Sequence, residues 1–205
     1  MTDTTALLER IEQLERRAQA AEDYRDLVNL QGAYGYYVDK GLWDQAADLF
    51  AADGTLEIAG RGLYRGQDRV RAYLHHLPGL EHGTVFNHMQ LQPVIHIGED
   101  GDGAAGRWRT IMEVGLAERN VSLRGEGTYE NRYRREDGVW KIARLHAFIT
   151  YYVEAGKGWS DGAVPMAGEL PDFPPDAPQT VAYGSYPEVF VPPFHYANPV
   201  TGRRR

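Results

Sequence analysis

Two fragments of the chain carry side chains whose types suit acid–base chemistry. An aromatic segment ends at Asp39, and a later segment with a strand pattern contains His88. A carboxylate that contacts an imidazole fixes its tautomer and stabilises its charged form, so such a pair can take up and return a proton. Because a lone histidine is more often a structural residue, this prediction requires elements that bring Asp39 and His88 together.

A second polar group lies on the strand that contains Tyr129, Asn131 and Tyr133. Side chains at alternate strand positions point to the same face of a sheet. Buried amides and phenols need hydrogen-bond partners, so an inward face of this composition predicts a polar cavity. The alternative is an edge strand whose face is open to water.

The last strand pattern leaves two orientations open for Arg144 and His146. Strict alternation from Trp140 and Ile142 places both side chains inside the domain, whereas a one-residue bulge turns them outward. In the second case the inward residues are Leu145, Ala147 and Ile149.

Composition and motifs exclude several functions. Without cysteine the chain has no thiol nucleophile and no thiolate metal site, and its seven histidines lack the spacing of metal ligands. The segment Gly101–Gly106 matches the letters of a dinucleotide fingerprint, but a strand pattern follows where a helix is required, so a hairpin loop is predicted. No Walker loop and no serine nucleophile elbow are present. We therefore expect no metal and no cofactor.

Charge and hydropathy limit the partners and the location. A net charge of −7 argues against nucleic acid, because phosphate binding requires clustered basic residues. No apolar run reaches membrane-spanning length, and the first residues lack the regions of a secretory signal. The pattern favours a cytoplasmic protein that binds neither membrane nor nucleic acid.

The N-terminal segment has a helical pattern with a short heptad seam. Two arrangements fit such a seam: it pairs copies of the chain in a dimer or trimer, or it lies on its own domain. The seam consists of Leu7, Ile11, Leu14, Ala18 and Ala21.

The order of the elements indicates an α+β fold. A second helical pattern runs through Tyr37, and a third covers Trp43 to Phe50. Strand alternation begins at Thr55, apart from a short helix around Asp68 to His76, and two hairpins follow. The second hairpin turns at Asp137-Gly138, a strong hairpin signal. Helices followed by long antiparallel strands predict helices that cover one face of a curved sheet.

Composition divides the chain into three parts. We predict an N-terminal helical extension at residues 1–22, a domain at residues 23–154 and an arm at residues 155–205. The arm is rich in proline and glycine and cannot form regular structure, but it contains too many aromatic residues for a solvated tail. It is expected to wrap the domain as the lid of a pocket or as a clasp between subunits, with a disordered tail as the alternative.

Four fragments carry a resemblance to a known family. They are "VDKGLWDQAADLFAADGTLEI", "GLYRG", "HGTVFNHMQLQ" and "GTYENRYRREDGVWKIARL". They resemble the SnoaL-like branch of the nuclear-transport-factor-2-like superfamily over residues 24–153. The resemblance implies a cone-shaped α+β barrel in which N-terminal helices close a curved antiparallel sheet, with a pocket in the mouth of the cone.

The resemblance also implies the residues of the site. The chain is similar to cofactor-free lyases that include scytalone dehydratase and hexachlorocyclohexane dehydrochlorinase, whose catalytic dyad falls on Asp39 and His88. Tyr34 stands where the dehydrochlorinase has a catalytic lysine. Its arginine falls on Leu145, so that charge is absent or moved to Arg144. The predicted substrate-binding residues are Tyr37, Leu56, Ile58, Thr110, Met112, Tyr129, Asn131, Ala147 and Ile149.

The implied function is a cofactor-independent lyase that acts on a phenolic aromatic molecule. The family contains lyases that release formaldehyde from lignin-derived diarylpropane diols and leave a stilbene, and the aromatic helix and the arm resemble that branch. In such a reaction His88 with Asp39 would act as the base, and Tyr34 or Tyr129 would assist the leaving hydroxyl. Alternatives are a dehydratase, isomerase or cyclase with the same dyad, and a binding or assembly module, since fold does not fix function.

Overall fold

The computed structural model describes residues 4–204, which form three α-helices beside one six-stranded sheet. The helices are α1 (Thr4–Asp39), α2 (Trp43–Asp48) and α3 (Gln67–Leu74). The strands are β1 (Phe50–Ile58), β2 (Gly62–Arg65), β3 (Thr84–Ile97), β4 (Gly103–Leu116), β5 (Val121–Glu136) and β6 (Val139–Glu154). Short 3₁₀ helices lie at Ala117–Arg119 and Trp159–Asp161.

Helix α1 is one continuous element of 36 residues, although the sequence pattern suggested two helices. Residues 19–31 contain neither glycine nor proline, so nothing interrupts the hydrogen-bond ladder at the expected junction. Burial changes there instead. Residues 4–22 are exposed, whereas Asp23 is buried and accepts a hydrogen bond from the Trp140 indole at 3.3 Å.

The sheet has the strand order β2-β1-β6-β5-β4-β3 and leaves β2 and β3 as its edges. The predicted α+β fold with a curved sheet is confirmed, and the sheet is open rather than closed. Strands β1 and β6 pair in parallel, unlike the other neighbours. The long connection through β2 to β5 permits this parallel pair. Because β5 lies between β4 and β6, the edge-strand alternative for this strand is wrong.

One extra residue in β6 decides which way the middle of that strand faces. Tyr133 pairs with Ile142 and Arg132 pairs with Arg144, so Ala143 is inserted as a bulge. The bulged alternative is therefore the one that the structure shows. The side chains that turn outward are Arg144 and His146, and those that turn inward are Leu145, Ala147 and Ile149.

The core lies between the inner face of the sheet and the three helices. Leu27 from α1, Ala46 from α2 and Val70 from α3 are fully buried against Leu56 and Leu145 of the sheet. This packing fixes the end of α1 against the sheet.

The arm follows the outer surface of the domain and is held at several points. Leu63 donates its backbone amide to the Ala177 carbonyl at 2.9 Å. Further along, the Phe190 ring stacks on Phe148 of β6 at 5.7 Å between centroids. Near its end the His195 ring is bonded to the carboxylate of Glu130 at 2.9 Å. The Phe190 ring therefore packs against the domain, as the aromatic composition of the arm predicted.

The heptad seam of α1 is not buried by its own domain, since residues 4–22 are exposed. Leu7, Ile11 and Leu14 are between 42% and 52% exposed. An unpacked helical segment of this length is only marginally stable in water. We propose that the seam pairs with the seam of a second copy of the chain, because heptad spacing suits self-association.

None of the helices found within residues 4–204 combines the length and apolarity that crossing a membrane requires.

We expect the double substitution Ile11→Glu with Leu14→Glu to shift the protein from an oligomer to a monomer in sedimentation-velocity measurements. Charge at both seam positions opposes pairing, while the domain keeps its core because these exposed side chains are not part of it. A matched control adds the same charges off the seam, at Gln13→Glu with Ala20→Glu, and should keep the oligomer. A wild-type protein that sediments as a monomer would contradict the proposal.

Candidate active site

A cavity of about 400 Å³ lies between the inner face of the sheet, the end of α1 and the start of the arm. This volume is within the range of about 300 to 1,000 Å³ that is typical of small-molecule sites. Its wall is mainly apolar and includes Trp43, Phe86 and Ile149. The polar side chains on the wall are Arg61, Tyr73, His88, Arg119 and Tyr152.

The arm contributes to the wall of this cavity through residues 164–167. The backbone amide of Val164 donates to the carbonyl of Tyr152 at 2.7 Å, which fixes this part of the arm beside β6. The arm therefore lines the cavity of its own chain.

Asp39 is the last residue of α1 and is placed by the turn that ends the helix. Gly41 has a φ of +62°, a conformation that favours glycine. The Leu42 amide then donates to the Tyr37 carbonyl at 2.9 Å, which closes the helix end. The Asp39 carboxylate projects from this turn toward β3.

Asp39 and His88 are brought together by two contacts of one carboxylate oxygen. Asp39 Oδ1 accepts the backbone N–H of His88 at 2.6 Å and lies 3.5 Å from His88 Nδ1. Nδ1 is buried and makes no hydrogen bond within the described chain. A small rotation of the ring would let Nδ1–H donate to Asp39, which leaves Nε2 as the proton acceptor. His88 lines the cavity, and Asp39 supports it from behind.

A chain of amides holds the other side of the His88 backbone. Gln90 Nε2 donates to the His88 carbonyl at 2.7 Å, and Gln31 Nε2 on α1 donates to Gln90 Oε1 at 2.9 Å. Gln31 Oε1 accepts from Asn131 Nδ2 at 3.0 Å and from the Tyr133 hydroxyl at 2.7 Å. The inward polar face of β5 thus positions the strand that carries His88, because a fully bonded buried network is rigid.

Gly35 allows α1 to approach β3 closely enough for these contacts. A Cβ atom at Gly35 would lie 2.9 Å from Gln90 Cγ and 3.0 Å from the His88 carbonyl oxygen. At Gly32, one turn earlier on the same helix, an added Cβ would meet nothing within 4 Å. Of these two positions, only Gly35, which lies beside the dyad, therefore requires glycine.

Tyr34 and Tyr129 lie behind the cavity wall. The two rings meet edge to face at 6.3 Å between centroids, and Tyr34 also contacts Phe50 at 6.2 Å. Burial, then the neighbouring phenols Tyr129 and Tyr73, raises the pKa of Tyr34 well above its ordinary value. Its hydroxyl therefore stays neutral and within the core.

The predicted substrate-binding residues fall into three groups. Ile58 and Ile149 line the cavity. Met112 lies directly behind it, packed with Ile149, and its sulfur accepts a hydrogen bond from the Tyr152 hydroxyl at 3.1 Å. The wall is not formed by Tyr37, Leu56, Thr110, Tyr129, Asn131 or Ala147.

A second acid–imidazole pair lies on the outer face of the sheet, beneath the arm. Glu57 Oε1 is 3.3 Å from His146 Nε2, and Glu57 Oε2 is 3.3 Å from the Arg144 guanidinium. The Thr180 amide in the arm donates to Glu57 at 2.6 Å. Glu57 and His146 are almost completely buried and do not line the cavity, so this cluster attaches the arm to the sheet.

Sequence reasoning missed the cavity residues Arg61, Tyr73, Arg119 and Tyr152. Arg61 lies in the turn between β1 and β2, where "GRG" marks a turn but not the direction of the arginine. Tyr152 lies in "TYYVE", where strand alternation alone cannot decide which of two adjacent tyrosines faces the cavity. A signal was present for Tyr73, because it lies on the apolar side of the predicted short helix.

The fold and the dyad together define an α+β protein with an internal cavity that has an acid–imidazole pair on one wall. The chain belongs to the SnoaL-like family, since residues 19–146 match the model of the SnoaL-like domain. It is similar to hexachlorocyclohexane dehydrochlorinase 1 of Sphingobium indicum (strain B90A), with 27% identity over 118 residues that cover 56% of this chain and 73% of the relative.

Two solved structures share the fold at lower identity. Hexachlorocyclohexane dehydrochlorinase LinA-type3 from Novosphingobium barchaimii LL02 has a TM-score of 0.57 at 24% identity, covering 71% of this chain and 96% of the other. A protein of unknown function from Mycobacterium tuberculosis has a TM-score of 0.52 at 23% identity, covering 62% and 75% respectively. At these identities the likeness shows the fold alone.

We expect Gly35→Ala and Gly32→Ala to change stability in opposite directions. The methyl group at Gly35 overlaps β3, so the free energy of unfolding should fall by about 1–3 kcal/mol. The methyl at Gly32 meets open space and favours the helix, so the free energy of unfolding should rise by up to about 1 kcal/mol. Urea denaturation measures both. A gain in stability from both variants would show that α1 does not approach β3 as described.

The outer cluster predicts a loss of stability in acid. Burial lowers the pKa of His146 from 6.5 to about 4, and the positive charge of Arg144 acts in the same direction, while Glu57 opposes both. The unfolded chain binds this proton near pH 6.5 and the folded chain only near pH 4, so the free energy of unfolding should fall as the pH drops through that interval.

The substitution His146→Gln removes this group and should flatten that part of the pH dependence, which urea denaturation across the interval measures. The exposed residue His82 provides the control, since His82→Gln should keep the wild-type slope. Equal slopes in the wild type and His146→Gln would show that His146 is not the group responsible.

Proposed function

We propose that the protein is a cofactor-independent lyase that acts on a phenolic aromatic molecule, with His88 and Asp39 as its catalytic dyad. The observation that carries this proposal is the placement of His88 on the wall of an apolar cavity, with a carboxylate 3.5 Å behind Nδ1. Membership of the SnoaL-like family supports it, as does similarity to a relative that is by name a dehydrochlorinase, an enzyme of elimination chemistry.

The substrate that suits the cavity in particular is a lignin-derived diarylpropane diol, which would lose formaldehyde and leave a stilbene. Apolar walls with aromatic members are suited to aryl rings, and the few polar groups are suited to the hydroxyls. The walls come from the sheet, the helices and the arm, so water is excluded on several sides of a bound ring. No charged cofactor is needed, because the phenolate of the substrate supplies the electrons.

In the first step, the phenolate pushes electrons toward the benzylic carbon and the benzylic hydroxyl leaves. The imidazolium of His88 gives its proton to this oxygen, so water departs and a quinone methide remains. Asp39 stabilises the imidazolium before transfer and fixes the ring orientation. Tyr34 and Tyr129 lie behind the wall, so we assign the proton of the leaving group to His88 itself.

In the second step, the neutral imidazole takes the proton of the primary alcohol. The carbon–carbon bond then breaks, formaldehyde departs, and the electron pair returns through the quinone methide to regenerate the phenolate. The net change converts the diol to a stilbene, water and formaldehyde, and His88 ends as the imidazolium from which it began. One histidine thus acts first as acid and then as base.

We expect His88→Ala to lower turnover by about 10²- to 10⁴-fold, because a positioned acid–base group contributes that much. The assay incubates the protein with a phenolic diarylpropane diol and follows stilbene absorbance and formaldehyde together. Asp39→Asn keeps an oxygen that accepts the His88 amide but loses the charge, so it should lower turnover while the chain remains folded. Circular dichroism and the melting temperature report the fold.

The matched control is His75→Ala, because His75 forms an acid–imidazole pair with Asp44 at 3.1 Å on the exposed surface. It should leave turnover unchanged. If His88→Ala retained full turnover, the dyad would not be catalytic. If the wild-type protein bound the diols without converting them or related benzylic alcohols, a binding protein would replace the enzyme.

A further inference from the structure

The cavity has a charge that is opposite to that of the whole protein. The chain has a net charge of −7, yet the wall of the cavity carries two arginines, Arg61 and Arg119. Within residues 4–204, no aspartate or glutamate side chain lines it. A positively charged and largely apolar cavity in an acidic protein favours a ligand that is both apolar and anionic.

Arg61 is the arginine that lies deeper in this site. It follows β1 in a tight turn, where its backbone amide donates to the Ile58 carbonyl at 2.9 Å, and it is partly buried, whereas Arg119 is exposed on its 3₁₀ helix. The ion pairs found within residues 4–204 do not include Arg61. A partly buried guanidinium that lines an apolar cavity without a carboxylate partner can pair with an anionic group of a ligand.

Two phenols complete this part of the wall. Burial raises the pKa of Tyr152 to about 12 and also raises the pKa of Tyr73, while the charge of Arg61 opposes both increases. Arg61, Tyr73 and Tyr152 line the same cavity, and both phenol hydroxyls remain protonated donors. The Tyr152 hydroxyl contacts only the weakly accepting sulfur of Met112 among the hydrogen bonds of residues 4–204, at 3.1 Å.

We propose that Arg61, with the hydroxyls of Tyr73 and Tyr152, binds the ionised oxygen of a phenol, so that the ligands of this cavity are aromatic phenolates. This inference rests on the proposed function, because the phenolate of the substrate is the group whose electrons start the proposed elimination. A cation and two neutral donors around one oxygen would hold the phenolate in place and favour its ionised form. His88 lies on the same wall and would face the reacting side chain of the ring.

The test uses 4-nitrophenol, whose neutral and ionised forms absorb at different wavelengths. At a pH equal to the pKa of the free probe, binding to the wild-type protein should increase the absorbance of the ionised form. The substitution Arg61→Gln should remove this increase and weaken binding of the ionised form by about tenfold or more, since a hydrogen bond to a charged group is lost. Arg61→Lys keeps the charge and should retain part of the increase.

Two further variants separate a local effect from general electrostatics. Arg65 lies on the next strand, is exposed and does not line the cavity, so Arg65→Gln removes the same charge nearby and should leave the spectrum of the bound probe unchanged. If Arg119→Gln rather than Arg61→Gln removed the increase, the anion would bind beside the exposed Arg119 and the proposal would be overturned. Binding of the probe in its neutral form, or no binding, would overturn it as well.

Competition with benzoate distinguishes a phenolate from a carboxylate. Stronger displacement of the probe by benzoate than by a phenol of similar size would assign the site to aromatic acids and overturn the proposal. The spectral readout does not require turnover, so it separates this inference from the proposed lyase. An Arg61-dependent increase in a protein that fails to convert the diol would retain the phenolate site and reject the lyase.

Discussion

The candidate site depends on the contact between the end of α1 and strand β3. One oxygen of Asp39 accepts the His88 backbone amide and at the same time lies beside the imidazole of that residue. A backbone amide has a fixed direction, so this bond sets the position of the carboxylate independently of the protonation of the ring. The glycine at position 35 lets the helix approach, and the Gln31–Gln90 bond fixes the strand from the other side.

The protein contains two acid–imidazole pairs that differ in their surroundings rather than in their chemistry. His88 lines an open cavity and Asp39 lies behind it, whereas Glu57 and His146 are enclosed by the sheet and the arm. In this enclosed site Arg144 and Thr180 also contact Glu57, so the polar groups of the second pair have partners. The buried Nδ1 of His88 has no such bond within the described chain. This difference favours a chemical role for the first pair and a structural role for the second.

The sequence allowed the α+β class, both hairpins and the inward face of β5 to be predicted, because periodicity and turn residues are local signals. Three features depend on contacts between distant segments and could not be predicted in that way: the parallel pairing of β1 with β6, the bulge at Ala143 and the continuity of α1. For the site, the placement of His88 and Asp39 as neighbours agrees with the expected dyad, while Arg61 and Tyr152 were missed because their direction is set by a turn and by strand register.

The contribution of residues 164–167 to the cavity wall has a consequence for the evolution of specificity. These residues belong to a segment without regular secondary structure, so insertions and replacements there disturb neither the sheet nor the helix that carries Asp39. Under the proposed function, this part of the cavity wall can vary independently of the dyad. A lineage that keeps Asp39 and His88 could alter its substrate range through the arm, and a designer could vary residues 164–167 on the same sheet for the same purpose.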